Sequence, residues 1–191
     1  DNLTICVPSG NFGNITAGLF AQRMGLPIMN FIAANNANDI FYNYLLSGIY
    51  SPKASIQTIA NAMDVGDPSN FARILDLYKS SHAEICNHIS GATYSDDEIA
   101  ATMKKCYEQT GYVLDPHGAC GYQALKDNLK EGETGVFLET AHPAKFKEKV
   151  DAILSTDIEI PTRLADFMKG KKQSLEMAAD FSAFKQFLLS V

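Results

Sequence analysis

The sequence predicts an α/β fold, a three-layer parallel sheet with helices on both faces, and three observations lead there. Short apolar runs alternate with amphipathic stretches along the 191 residues. The clearest run, Leu3 to Val7 (LTICV), is β-branched, short and bounded by polar residues, as suits a parallel strand buried on both faces. Between the runs, capping residues, prolines and glycines sit where helices should start and stop.

Taken in order, Leu3 to Val7 is the first strand, residues 8–14 are a turn, and Ile15 to Met24 is a helix ended by Gly25 and Pro27. Ile28 to Ala33 is a second strand. From Asn35 the chain is polar and then aromatic (Phe41, Tyr42, Tyr44), a loop entering a short helix. Residues 47–66 show no period and read as a long irregular segment, a type often functional in compact domains. Asp67-Pro68 is placed to cap a helix whose apolar face is Phe71, Ile74, Leu75 and Tyr78. His82 and His88 fall in a helix-like stretch with no partners at metal-ligand spacing. Ser95-Asp96-Asp97-Glu98 reads as a capping box, opening a helix through Ile99, Met103, Cys106 and Tyr107 that Gly111 closes. Val113-Leu114 reads as a short strand edge, and Asp115-Pro116 opens the helix carrying Tyr122, Leu125 and Leu129. Gly135 to Glu139 (GVFLE) is a third clear strand, followed by helix from about His142 to Leu154. Residues 1–160 therefore form one α/β domain portion. Residues 161–191 read as a tail of two short helices packing on it.

Composition narrows the function. Sixteen basic residues against 22 acidic give a net charge of −6, and no basic run exceeds a pair such as Lys171-Lys172. A nucleic-acid groove or an anionic membrane surface needs clustered positive charge, so neither is expected as a partner. No stretch has membrane length, and the four cysteines (Cys6, Cys86, Cys106, Cys120) lack CxxC spacing. They read as reduced thiols of a cytoplasmic protein, and no metal site is expected. The chain opens Asp1-Asn2, without Met, and enters an apolar strand at once, which reads as the interior of a longer chain.

Three segments carry candidate chemistry. Ser9-Gly10-Asn11-Phe12-Gly13-Asn14 lies between a strand and a helix, where two glycines allow a tight turn that presents successive N–H groups. It reads equally as an anion cradle and as a plain turn with an Asn cap. It is neither a Walker loop nor GxGxxG. Thr140 and His142 follow the strand 135–139, at the end where parallel sheets gather ligands, although each also suits the start of the next helix. Lys145 is a formal Schiff-base candidate, but one turn into a helix it reads as a solvated lysine. In Asp115-Pro116-His117-Gly118 the simple reading is an N-cap. A ligand-facing turn is the other.

Five segments in order, VPSGNFGN at 7–14, IAANNAND at 32–39, MDVGDPSNF at 63–71, DPHGA at 115–119 and TAHPAKF at 140–146, resemble the threonine synthases, pyridoxal-phosphate enzymes of the tryptophan-synthase-like fold type II. The resemblance implies that Ser9, Gly10, Asn11, Phe12, Gly13 and Asn14 hold the 5′-phosphate of pyridoxal 5′-phosphate. It implies that Thr140 bonds the pyridine nitrogen, and that Asp115 and His117 lie near the ring or substrate. The substrate would be O-phospho-L-homoserine, converted with water to L-threonine and phosphate in threonine biosynthesis. Phosphate would leave from Cγ and water would add at Cβ, so a second anion site is required.

One feature of the family is missing. Its cofactor-linking lysine lies in a Ser-Phe-Lys-Asp segment of the upstream half, and no lysine here is flanked that way. The chain thus reads as the carboxyl-terminal part of such an enzyme, without a catalytic residue of its own and inactive alone. The partner it lacks is the amino-terminal half, and the severed sheet is expected to self-associate. A threonine dehydratase or phospholyase-like enzyme of the same fold is the alternative, and a non-catalytic anion-binding module is another.

Overall fold

The computed structural model describes residues 2–190, so Asp1 and Val191 lie outside the described residues. Four strands form one sheet, β1 (Leu3–Pro8), β2 (Asn30–Asn35), β3 (Ile89–Thr93) and β4 (Thr134–Phe137). All pairs are parallel, in the order β3-β2-β1-β4. Thr4 stands opposite Asn30, Cys6 opposite Phe137, and Phe31 opposite Ile89.

The alternation of side chains along a strand sends successive residues to opposite faces, and here each face has its own core. On one side Cys6, Ile32 and Ala34 pack with Ile99, Met103, Leu114, Ala119, Cys120 and Val150. These come largely from α5 (Asp96–Thr110), α6 (Pro116–Asn128) and α7 (Lys147–Leu154). On the other side Val7, Phe31 and Ala33 pack with Ile15, Leu19, Phe41, Ile74 and Ile85. Those helices are α1 (Gly13–Arg23), α2 (Ile40–Ser47), α3 (Phe71–Leu77) and α4 (His82–His88). The sheet is therefore the middle of three layers, as the sequence predicts. The chain divides into two compact units, one ending at Ile158 and one beginning at Glu159. The second holds α8 (Thr162–Met168) and α9 (Phe181–Ser190).

Several local expectations hold in detail. Ser95 Oγ accepts from the Glu98 N–H while the Glu98 carboxylate accepts from the Ser95 N–H, the reciprocal box that starts α5. Gly111 closes that helix at φ 73°. Asp115 caps α6, with Pro116 in the first turn.

Others are corrected. The helix expected at Asp67-Pro68 starts at Phe71 instead, because the Asp67 carboxylate accepts from the Tyr50 hydroxyl at 2.7 Å rather than capping. Val113-Leu114 pairs with no strand among the described residues. Leu114 is apolar because it is buried in the core. The second strand begins two residues later than read and runs on through Asn35, whose buried side chain donates to the Ser9 carbonyl at 2.8 Å. The helix-like stretch with His82 and His88 ends at His88 and gives way at once to β3. The helix after β4 is preceded by a 3₁₀ turn, Pro143–Phe146.

Among the described residues no helix is long and apolar enough to cross a membrane, and no group of three potential metal ligands gathers. All four cysteines are free thiols, and Cys86 alone is exposed.

Candidate functional site

A cleft of about 300 Å³ opens at the carboxyl ends of β1 and β4. It is lined by residues 10–14 after β1, by Thr140, Ala141, Lys145 and Phe146 after β4, by His117 on α6, and by Ala62 and Met63. The last two belong to a 3₁₀ turn, Asn61–Met63, inside the long irregular segment. The folding of a parallel sheet brings these distant segments together, since every strand ends on the same side.

The turn after β1 is built to leave amides open. Phe12 sits in the left-handed region (φ 62°, ψ 12°), and its ring is buried against Phe41 with centroids 4.7 Å apart. A non-glycine residue in that conformation costs about 1–3 kcal/mol, and the packing of the ring holds it there. Phe12 is also the N-cap of α1, where no side chain caps and no acidic residue occupies the first turn. Asn14 turns back, its Nδ2 donating to the Pro8 carbonyl at 2.8 Å while its Oδ1 accepts from the Ile15 N–H. Among the described residues the N–H groups of Gly10, Asn11, Phe12, Gly13 and Asn14 have no acceptor. Open amides at a helix N-terminus make a place for an anion. At Gly10 a Cβ would stand 2.8 Å from the Ala62 oxygen and the Met63 Cα, so only glycine lets this wall approach.

Not every predicted residue faces the cleft. The Ser9 hydroxyl donates to the Val7 carbonyl at 2.8 Å and is fully buried, so Ser9 shapes the turn without lining it. The Asn11 side chain is occupied as well, accepting from the Ser69 N–H at 2.7 Å and pinning the approach to α3. Thr140 is exposed on the lining, and its hydroxyl has no partner among the described residues. The cap of the following turn is His142, whose Nδ1 accepts from the Ala144 N–H. Lys145 lines the cleft and is exposed, in keeping with a solvated lysine.

Asp115 and His117 form a buried pair, His117 on the cleft lining and Asp115 behind it. Asp115 Oδ1 accepts from the His117 N–H at 2.8 Å and lies 2.5 Å from His117 Nδ1. His117 Nε2 accepts from the Ala62 N–H at 3.1 Å, which places the ring proton on Nδ1. With both nitrogens engaged, His117 braces the 3₁₀ turn. That turn is held from its other side by Asp64, whose carboxylate accepts from Asn36 Nδ2, Asn38 Nδ2, Thr58 Oγ1 and the Thr58 N–H.

Sequence reasoning assigned no chemistry to Asp64 or to Glu139. Asp64 left no signal beyond a carboxylate in an irregular run. Glu139 left one, an acid at the end of the apolar run GVFLE. Its Oε1 accepts from the Asp115 N–H at 3.0 Å, and its Oε2 is buried without a partner among the described residues. Burial, with the Asp115 charge beside it, pushes the Glu139 carboxyl up to about 8.

The chain is similar to known proteins. The profile of the family described as "Pyridoxal-phosphate dependent enzyme" matches residues 1–140, and that of "Threonine synthase, C-terminal" matches residues 118–188. A threonine synthase from Haemophilus influenzae is 47% identical over 189 residues, covering 99% of this chain and 44% of that protein. The crystal structure of threonine synthase from Escherichia coli superposes with a TM-score of 0.84 at 42% identity, over 99% of this chain and 44% of that one. The pyridoxal-phosphate-bound threonine synthase from Brucella melitensis gives 0.87 at 32% identity, over 98% and 46% respectively. The chain thus spans less than half the length of the relatives it matches. With the family profile running through β1 to β4 and as far as Thr140, the chain belongs to the pyridoxal-phosphate-dependent enzyme family.

Proposed function

We propose that this chain forms the phosphate-holding side of a threonine synthase site. The whole protein then converts O-phospho-L-homoserine and water to L-threonine and phosphate. The observation that carries the reading is the cleft that joins five open amides at residues 10–14 to the free hydroxyl of Thr140. Likeness to threonine synthases along 99% of the chain supports the synthase over another enzyme of the fold.

The residues present fit pyridoxal 5′-phosphate. The amides and the α1 N-terminus suit its phosphate, the absence of a Cβ at Gly10 keeps the wall close, and no carboxylate sits in the first turn of α1 to repel it. The cofactor supplies an electron sink beside the substrate amine, and the protein supplies binding and orientation. Residues Gly10 to Asn14 bind the phosphate through backbone N–H groups. Asn14 fixes the helix start, and Phe12 anchors the turn in the core. Thr140 would hold the pyridine nitrogen by a hydrogen bond from its hydroxyl, a neutral donor that keeps its own proton and leaves the ring uncharged at that atom. Asp115 and His117 act one step back, keeping the Ala62 wall against Gly10.

In this reading the lysine that carries the cofactor comes from outside these 191 residues, and this chain alone releases no phosphate from phosphohomoserine. The test is borohydride reduction of the full-length gene product with pyridoxal phosphate, followed by peptide mapping of the modified lysine. A label outside these 191 residues is expected. A specific label on Lys145 would overturn the roles given to Thr140 and to the absent lysine.

A further inference from the structure

We propose that Glu139 is a positioning residue that carries a proton at neutral pH and shares it with the Asp115 carboxylate, tying the end of β4 to the first turn of α6. Asp115 is fully buried, and the Glu139 carboxyl stands beside it, close enough for the Asp115 charge to raise it. Oε1 of Glu139 already accepts from the Asp115 N–H. Oε2 is buried with no partner among the described residues, and it lies where a Cβ on Gly118 would stand, 1.8 Å away. Glycine at 118 therefore makes the seat for this carboxyl. A half-buried carboxylate beside a fully buried one would repel it at close range in a poorly solvated place. A single proton between them removes the repulsion and gives the orphaned oxygen a partner.

Among the described residues, the titratable groups around the pair offer no compensating cation. They are Asp115 and His117 on α6, Tyr112 on the connection before it, and Cys120 and Cys6 behind Asp115. Lys145, which also lines the cleft, is exposed to solvent. The direction of titration agrees. Burial first, and then the charge of Asp115 and contact with its carboxyl, raise Glu139 to about 8.

The proton has reach. Asp115 also accepts from His117 Nδ1, and His117 Nε2 holds the Ala62 N–H beside Gly10, so relief of the repulsion keeps this chain of contacts in place. Along the chain the residue after Glu139 is Thr140. One proton therefore keeps in register the two cleft walls that carry the phosphate amides and the hydroxyl. Its consequence for cofactor binding rests on the reading proposed above; the shared proton itself does not.

Carbon-13 titration of the glutamate carboxyls in the full-length gene product tests the proton directly, with Glu139 assigned by its absence in Glu139→Gln. A midpoint near 8 is expected. A midpoint in the ordinary carboxylate range would overturn the proposal. Because the folded state keeps this proton to higher pH than the unfolded chain, native stability falls as pH rises from the ordinary carboxylate range through about 8. Glu139→Gln, which keeps a neutral donor, removes that slope.

Binding of pyridoxal phosphate and of inorganic phosphate from pH 6.5 to 9.5 gives the second readout. Wild-type affinity is expected to drop several-fold through pH 8 relative to Glu139→Gln, which controls for the ligands' own titration. Glu139→Ala is expected to bind weakly throughout. A Gln variant as weak as Ala at every pH would reduce Glu139 to a packing role and sink the idea. If neither ligand binds while the carboxyl titrates near 8, the shared proton stands and the cofactor reading falls.

Discussion

Two helices begin at the same cleft and begin in opposite ways. α6 starts with its amides satisfied, Asp115 accepting from the N–H groups of His117 and Gly118 while Pro116 has none to offer. α1 starts with no side-chain cap, no acid in its first turn and a run of open N–H groups. Both helices are long enough for their aligned peptide dipoles to matter, and both point the positive end the same way. The difference lies in who answers that end. At α6 the chain answers it internally, and the result is a brace. At α1 it is left open, and in the reading proposed above the result is a site. A helix N-terminus is informative when the protein declines to cap it.

Substitutions on either side of this contrast should behave differently. The largest effect is expected at Asp115. Asp115→Ala removes a cap and strands the buried His117 Nδ1–H, so a loss of roughly 2–4 kcal/mol is expected by denaturant unfolding. A loss under 0.5 kcal/mol would mean that α6 does not depend on its cap. Next comes Gly10→Ala, whose Cβ would meet backbone atoms of Ala62 and Met63 at 2.8 Å. The wall must move, at about 1–3 kcal/mol in stability, and phosphate or pyridoxal phosphate should bind at least roughly tenfold more weakly by titration. Unchanged affinity would show that the open amides do not set the site. The smallest effect is expected at Gly13, where a Cβ would make an ordinary 3.6 Å contact with Asn70 Nδ2. As a first-turn helical residue without positive φ, Gly13→Ala should gain about 0.4–1 kcal/mol in thermal unfolding. A loss would show that Gly13 is needed for more than backbone freedom.

The parts of the molecule that could be read from the sequence are those decided locally. The capping box at Ser95 and the Asp115-Pro116 start involve residues two or three positions apart, and both form as read. The turn at 9–14 was legible as a strand-to-helix junction for the same reason, but the burial of Ser9 was not. Its hydroxyl is turned inward by a strand pairing that brings Ala34 and Asn35 alongside. β3 was missed because ISGAT is short, lacks a clear period and contains Gly91, whose missing Cβ admits Leu45 Cδ1 and the Tyr42 ring of α2. Asp67-Pro68 misled for the opposite reason. It has the composition of a helix start, but a tyrosine 17 residues earlier takes its carboxylate. Asp64 and Glu139 were invisible because their meaning depends on partners between 6 and 28 residues away.

Phe12 carries the broadest consequence. Its backbone is bent into a shape that glycine would accept more readily, and the shape persists because the ring is locked among aromatic neighbours. The open amides on one side of this residue and the packed ring on the other thus belong to a single equilibrium. A ligand that holds the amides draws on the folding of the aromatic cluster and strengthens it by RT ln(1 + [L]/Kd), and any loosening of that cluster lowers affinity by the same free energy. In this protein, occupancy of the cleft and integrity of one core are reciprocal quantities.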